Sequence, residues 1–106
     1  MSKFEKKNNE IITDKVIDLF YAAKIGCLDK IKYLVKQNVD IGEENDYAMR
    51  LAARNGHLNV VKYLVDRGAD INANNNYSVK WATRNCHLNV VRYLIKKEGI
   101  IDSFII

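Results

Sequence analysis

The apolar positions of this 106-residue chain follow a short period laid inside a long one. In Leu58-Asn-Val-Val-Lys-Tyr-Leu-Val65, the residues Leu58, Val61, Leu64 and Val65 stand at i, i+3, i+6 and i+7. That spacing gathers them on one stripe of an amphipathic helix. The longer segment Asn55-Gly-His-Leu-Asn-Val-Val-Lys-Tyr-Leu-Val65 returns as Asn85-Cys-His-Leu-Asn-Val-Val-Arg-Tyr-Leu-Ile95. A weaker copy is Ile25-Gly-Cys-Leu-Asp-Lys-Ile-Lys-Tyr-Leu-Val35. Leu28, Leu58 and Leu88 lie 30 residues apart, as do Tyr33, Tyr63 and Tyr93, and Ala22, Ala52 and Ala82. Separate columns that share one gap-free period are the signature of a repeat array.

Each unit reads as two short helices. Asn45 and Asp46 are N-cap residue types ahead of a first helix over 47–54. Gly56 stands where a helix ends in a left-handed residue, and the small pair Ala52 and Ala53 lets neighbouring helices approach closely. The second helix carries the apolar stripe and closes at Gly68, and residues 69–76 form a polar connector. The chain contains no proline, so nothing in it forcibly breaks a helix. The predicted fold is all-α. Residues 1–9 read as a disordered tail, 10–45 as a degenerate N-terminal repeat, 46–75 as a full repeat, and 76–106 as a repeat with an apolar end.

Gly56-His-Leu-Asn-Val-Val-Lys-Tyr-Leu-Val65 and Gly68-Ala-Asp-Ile-Asn72 resemble the second half of the ankyrin repeat, and Leu51-Ala-Ala53 resembles its first helix. The match runs from about Val16 to Lys97. It departs from the family in one consistent way: the usual period is ~33 residues and opens its first helix with Thr-Pro-Leu-His, which is absent here. The shorter unit and the connector Asn75-Asn-Tyr-Ser-Val-Lys80 are similar to those of ankyrin proteins from very large DNA viruses. The loss implies a compact turn in place of a projecting hairpin finger. The resemblance implies a helix-turn-helix solenoid and a non-enzymatic role as a protein-binding scaffold.

Charge and chemistry narrow this reading. A formal net charge of +4 makes the surface mildly basic, suited to acidic partners. No apolar run follows the charges of residues 1–10, which predicts a protein that is not secreted and works inside a host cell. No stretch approaches the ~18 apolar residues of a membrane span. Cys27, His57 and His87 share a column, and Cys86 adjoins His87. Equivalent residues of stacked units lie about 8–10 Å apart, too far to close on one metal ion or to join Cys27 to Cys86 within a chain. The family resemblance gives His57 and His87 a structural bond between units. No phosphate loop or nucleophile–base pairing is present. No catalytic residue, metal, cofactor or small-molecule substrate is therefore expected.

Two basic ladders remain. Lys32, Lys62 and Arg92 share a column that the resemblance places on the convex, solvated side, and the tyrosine column beside it is expected to pack between units. Lys24, Arg54 and Arg84 end the three first helices, with Arg50 and Lys80 one turn earlier. In the family, positions there line the concave groove, which implies a partner-binding set of Lys24, Tyr47, Arg50, Arg54, Asn55, Tyr77, Lys80, Arg84 and Asn85. The competing account is that cations simply favour helix C-termini. The apolar end, with Ile100, Ile101, Phe104, Ile105 and Ile106, reads either as a cap over the last helix pair or as a surface for self-association. Nucleic-acid binding, and a remnant of a longer array, stay open as alternatives.

Overall fold

The computed structural model describes residues 4–5 and 11–98, with side chains from residue 13 onward. Among the described residues, six helices make three stacked pairs: α1 (Asp14–Ile25) with α2 (Leu28–Lys36), α3 (Glu43–Arg54) with α4 (Leu58–Asp66), and α5 (Ala73–Arg84) with α6 (Leu88–Glu98). Ahead of them, β1 (Phe4–Glu5) and β2 (Ile11–Ile12) pair antiparallel, Phe4 opposite Ile12. Most of the tail expected at 1–9, and the apolar run from Ile100 to Ile106, lie outside the described residues.

The core lies between the layers of first and second helices. Leu19, Ala22, Ala23, Ile31 and Leu34 continue through Ala48, Met49, Ala52, Ala53, Val60, Val61 and Leu64 to Ala82, Val90 and Leu94. Successive units meet chiefly through their first helices: α1 packs on α3 and α3 on α5. The alanines make that possible, because a small side chain brings the backbones together. The stripe expected on the second helix is turned slightly from its sequence reading. Val60, Val61 and Leu64 are fully buried, whereas Leu58 and Val65 sit at its half-buried rim.

The connectors correct one expectation. Asn45 and Asp46 do not cap α3 in extended conformation; Glu44, Asn45 and Asp46 are left-handed, at φ 57°, 55° and 58°. Asn74, Asn75 and Asn76 repeat this before α5, at φ 56°, 59° and 60°. Three successive left-handed residues form one turn of reversed sense, and right-handed helix resumes at Tyr47 and Tyr77. Left-handed backbone costs an ordinary L-residue roughly 1–2 kcal/mol, least where Asn or Asp is used, which explains the run of asparagines. The lead-in is also shared. The Asp40 carboxylate accepts from the Gly42 N–H at 2.9 Å, and Asp70 accepts from the Asn72 N–H at 2.9 Å. The connector is thus a compact turn.

Candidate functional site

The first helices carry their exposed faces side by side, and on them an alternation of rings and guanidinium groups runs across the units. Phe20 meets Tyr47 edge-on with centroids 4.8 Å apart. Arg50 lies 5.0 Å from the Tyr47 ring and 5.0 Å from the Tyr77 ring, so it bridges two units. Its Nε donates to the Asn45 carbonyl at 3.0 Å and its Nη2 to the Glu44 carbonyl at 2.9 Å. Arg50 therefore holds the left-handed turn as well as the two rings. Beside it, the Arg54 guanidinium lies 4.7 Å from the Trp81 ring, and its Nη1 donates to the Tyr77 hydroxyl at 3.3 Å. Arg84 reaches the same indole, 4.8 Å away, and Tyr77 packs tilted against it at 5.6 Å.

This arrangement fixes cations in place. A guanidinium over a ring gains about 0.5–1 kcal/mol at an exposed site and keeps its edge free to meet a carboxylate in two-pronged fashion. Arg54 and Arg84 are exposed and so held. Next to them opens a recess of about 480 Å³, lined by Ile17, Phe20, Tyr21, Lys24, Tyr47 and Leu51 among others. Tyr21 is 62% exposed within it, a large ring available to a neighbour.

The residues grouped by sequence fall into two sets. Lys24, Tyr47, Arg50, Arg54, Tyr77, Lys80 and Arg84 share the face of the first helices. Asn55 and Asn85 turn their side chains to the joint between units instead. Asn55 Nδ2 donates to the Lys24 carbonyl at 3.3 Å, and Asn85 Nδ2 to the Arg54 carbonyl at 3.0 Å. His57 Nε2 bonds the same Lys24 carbonyl at 2.9 Å, the structural bond between units that the family resemblance implied. Trp81 was missed, although it centres the ladder. Its signal was present as the chain's only tryptophan, in a 30-residue column with Tyr21 and Leu51.

The second basic ladder is exposed, as the sequence implied, and it also reaches across the units. Lys32 lies 5.8 Å from the Tyr63 ring and Lys62 lies 5.7 Å from the Tyr93 ring. Each lysine covers the tyrosine of the following unit, so the two columns form one interlock. Burial and the nearby Asp66 raise the Tyr93 phenol above its ordinary pKa of 10.0. Among the described residues, no group of three or more His, Cys, Asp and Glu side chains is arranged to hold a metal ion. No described helix is long and apolar enough to cross a membrane.

Stacked helix pairs with an inner face of exposed side chains define the class as a helical repeat solenoid. The family model for ankyrin repeats matches residues 19–103 in three copies, and the chain belongs to the ankyrin-repeat family. A comparison with curated proteins returned no match. Ankyrin repeats are in general non-enzymatic scaffolds for protein–protein interaction.

Proposed function

We propose that the face formed by α1, α3 and α5 binds a protein partner through an acidic surface segment. The observation that carries this is the pair Arg54 and Arg84, both exposed and both held over Trp81, with Arg54 further fixed by the Tyr77 hydroxyl. Tyr21 and Tyr77 supply apolar contact beside them, and Lys24 and Lys80 extend the positive field along the units. Buried aromatic and arginine anchors dominate protein interfaces, and charge complementarity adds rate and specificity more than affinity. Holding the guanidiniums in advance lowers the ordering cost of binding. The helix-end preference for cations accounts for Lys24, Arg54 and Arg84 as residue types, but it does not account for Trp81 between two of them.

The test is a nuclease-treated pull-down from host lysate with three chains: wild type, Lys24/Arg54/Arg84→Glu and Trp81→Ala. A protein held by the wild type and lost by both folded variants, with capture weakening as salt rises, is the expected result. Capture that all three chains share equally would remove the face from consideration. Release by nuclease would instead mark nucleic acid as the ligand.

A further inference from the structure

The joints between units obey one rule, and the chain's two cysteines are where it changes. The imidazole that opens the second helix of each later unit rests on the left-handed glycine ending the first helix of the unit before. His57 rests on Gly26 and His87 on Gly56; a Cβ at either glycine would stand 2.5 Å from the imidazole Nδ1. In the third unit the glycine's place is taken by Cys86, at φ 62°. That seat already carries a side chain and is closed to an imidazole. In the first unit the histidine's place is taken by Cys27. Both thiols are free and exposed. The filled seat and the small residue that fits a filled seat therefore stand at opposite ends of the described stack.

Other features of the two ends match in the same register. Tyr63 and Tyr93 each lie beneath a lysine of the preceding unit, whereas Tyr33 meets Lys30 of its own helix, 5.4 Å from its ring, and is 55% exposed. Arg92, the next cation in that column, is exposed at the other end. Met49, Ala53 and Val61 are fully buried by the third unit, but their counterparts Val79, Thr83 and Val91 border an open recess of about 670 Å³ with Ile95. Leu88, whose counterpart Leu58 is half-buried, is 57% exposed.

We propose that copies of this chain associate head to tail, the first unit of one stacking on the third unit of the next, with Cys27 against Cys86. The joints inside the chain give the geometry. His57 Cγ lies 2.8 Å from the Cβ position of Gly26. One bond further, the Cβ of that column is at most about 4.3 Å away, inside the ~4.5 Å upper limit for a disulfide. Arg92 would cover Tyr33 of the next copy, and the recess bordered by Val79 and Val91 would close. Two joint bonds do not carry over, since Ile25 stands where Asn55 and Asn85 donate an amide and Cys27 where His57 bonds the preceding carbonyl, so this joint is the weakest in the assembly. The contact is heterologous and builds open chains of molecules. It does not rest on the proposed use of the concave face, although Lys80 and Arg84 of that face also border the recess.

The test traps the contact with diamide, an azo oxidant. Two thiols form one disulfide, and their two electrons and two protons reduce the nitrogen–nitrogen double bond to a hydrazine. The wild-type chain is expected to give a ladder of covalent oligomers on a non-reducing gel. Cys27→Ser and Cys86→Ser chains should each stay monomeric alone and give a single dimer band when mixed. Sedimentation of the reduced wild-type chain should show association that rises with concentration and is lost in Leu88→Lys. Dimers from either serine variant alone, or a disulfide closed within one molecule, would overturn the proposal. So would a chain monomeric by both readouts, whose end face is then covered by its own residues.

Discussion

The Nδ1 of His87 lies 2.5 Å from the point where a Cβ on Gly56 would stand. The two residues are one joint: the glycine's left-handed φ of 79° turns the chain, and its missing side chain makes room for the imidazole.

Gly56→Ala should therefore cost about 2 kcal/mol or more, from left-handed strain plus displacement of a packed ring. Gly68 is the control. Its φ is 96° but nothing lies within 4 Å of its Cβ position, so Gly68→Ala should cost only about 1 kcal/mol. Urea unfolding of both variants checks this, and equal losses would mean that His87 moves aside freely.

Ser78 is fully buried, and its hydroxyl has no hydrogen-bond partner. The same column holds Ala48 in the unit before. Ser78→Ala removes the unsatisfied group with little change in volume and should stabilise by about 1 kcal/mol. A melting temperature that falls instead would reveal a bonded hydroxyl.

Burial raises the pKa of Asp46 above 3.8, the carboxylates of Asp70 and Asp40 add to the rise, and the Asp70 backbone N–H and Arg50 oppose it. The folded state thus holds this proton more tightly than the unfolded chain does. That advantage is fully present below 3.8 and is lost as pH rises through the folded value. Asp46→Asn should raise stability at pH 7 by about a few tenths of a kcal/mol, because solvent screens much of the effect. The gain should vanish near pH 3. Asn76 already occupies the equivalent place in the next unit.

Arg50 joins two rings and two carbonyls of the left-handed turn. Arg50→Ala should destabilise by about 1–3 kcal/mol, and Arg50→Lys by less, since an ammonium keeps the charge but loses the fork. Thermal unfolding of the pair separates geometry from charge; equal losses would assign the whole effect to the fork.

The helices, their pairing and the period were legible in the sequence because each depends on local spacing. Ala52 beside Gly56 and Leu58 marks a packed turn in any context. Two things were less legible. The reversal at Asn74–Asn76 was hidden because asparagine is both an N-cap residue and the side chain most tolerant of left-handed backbone, and composition does not separate the two. The Arg54–Trp81–Arg84 cluster was half hidden, because cations at helix ends have a sufficient local explanation. Only the fold brings Arg54 from one unit over an indole of the next. The same holds for Lys32 and Tyr63, whose columns the sequence assigns to different sides of the second helix and the stack joins across two units.

The joints share a further property. Lys24 and Asn55 are 31 residues apart, as are Arg54 and Asn85, and the lysine–tyrosine interlocks keep that interval too. These four contacts are thus each written as one period plus one. In-frame duplication of 30 residues would create a new, correctly matched joint without any new residue being selected. Insertion of a single residue would break all the bonds of one joint at once. Copy number is therefore the dimension along which this architecture changes most easily, and unit length the one along which it hardly changes at all.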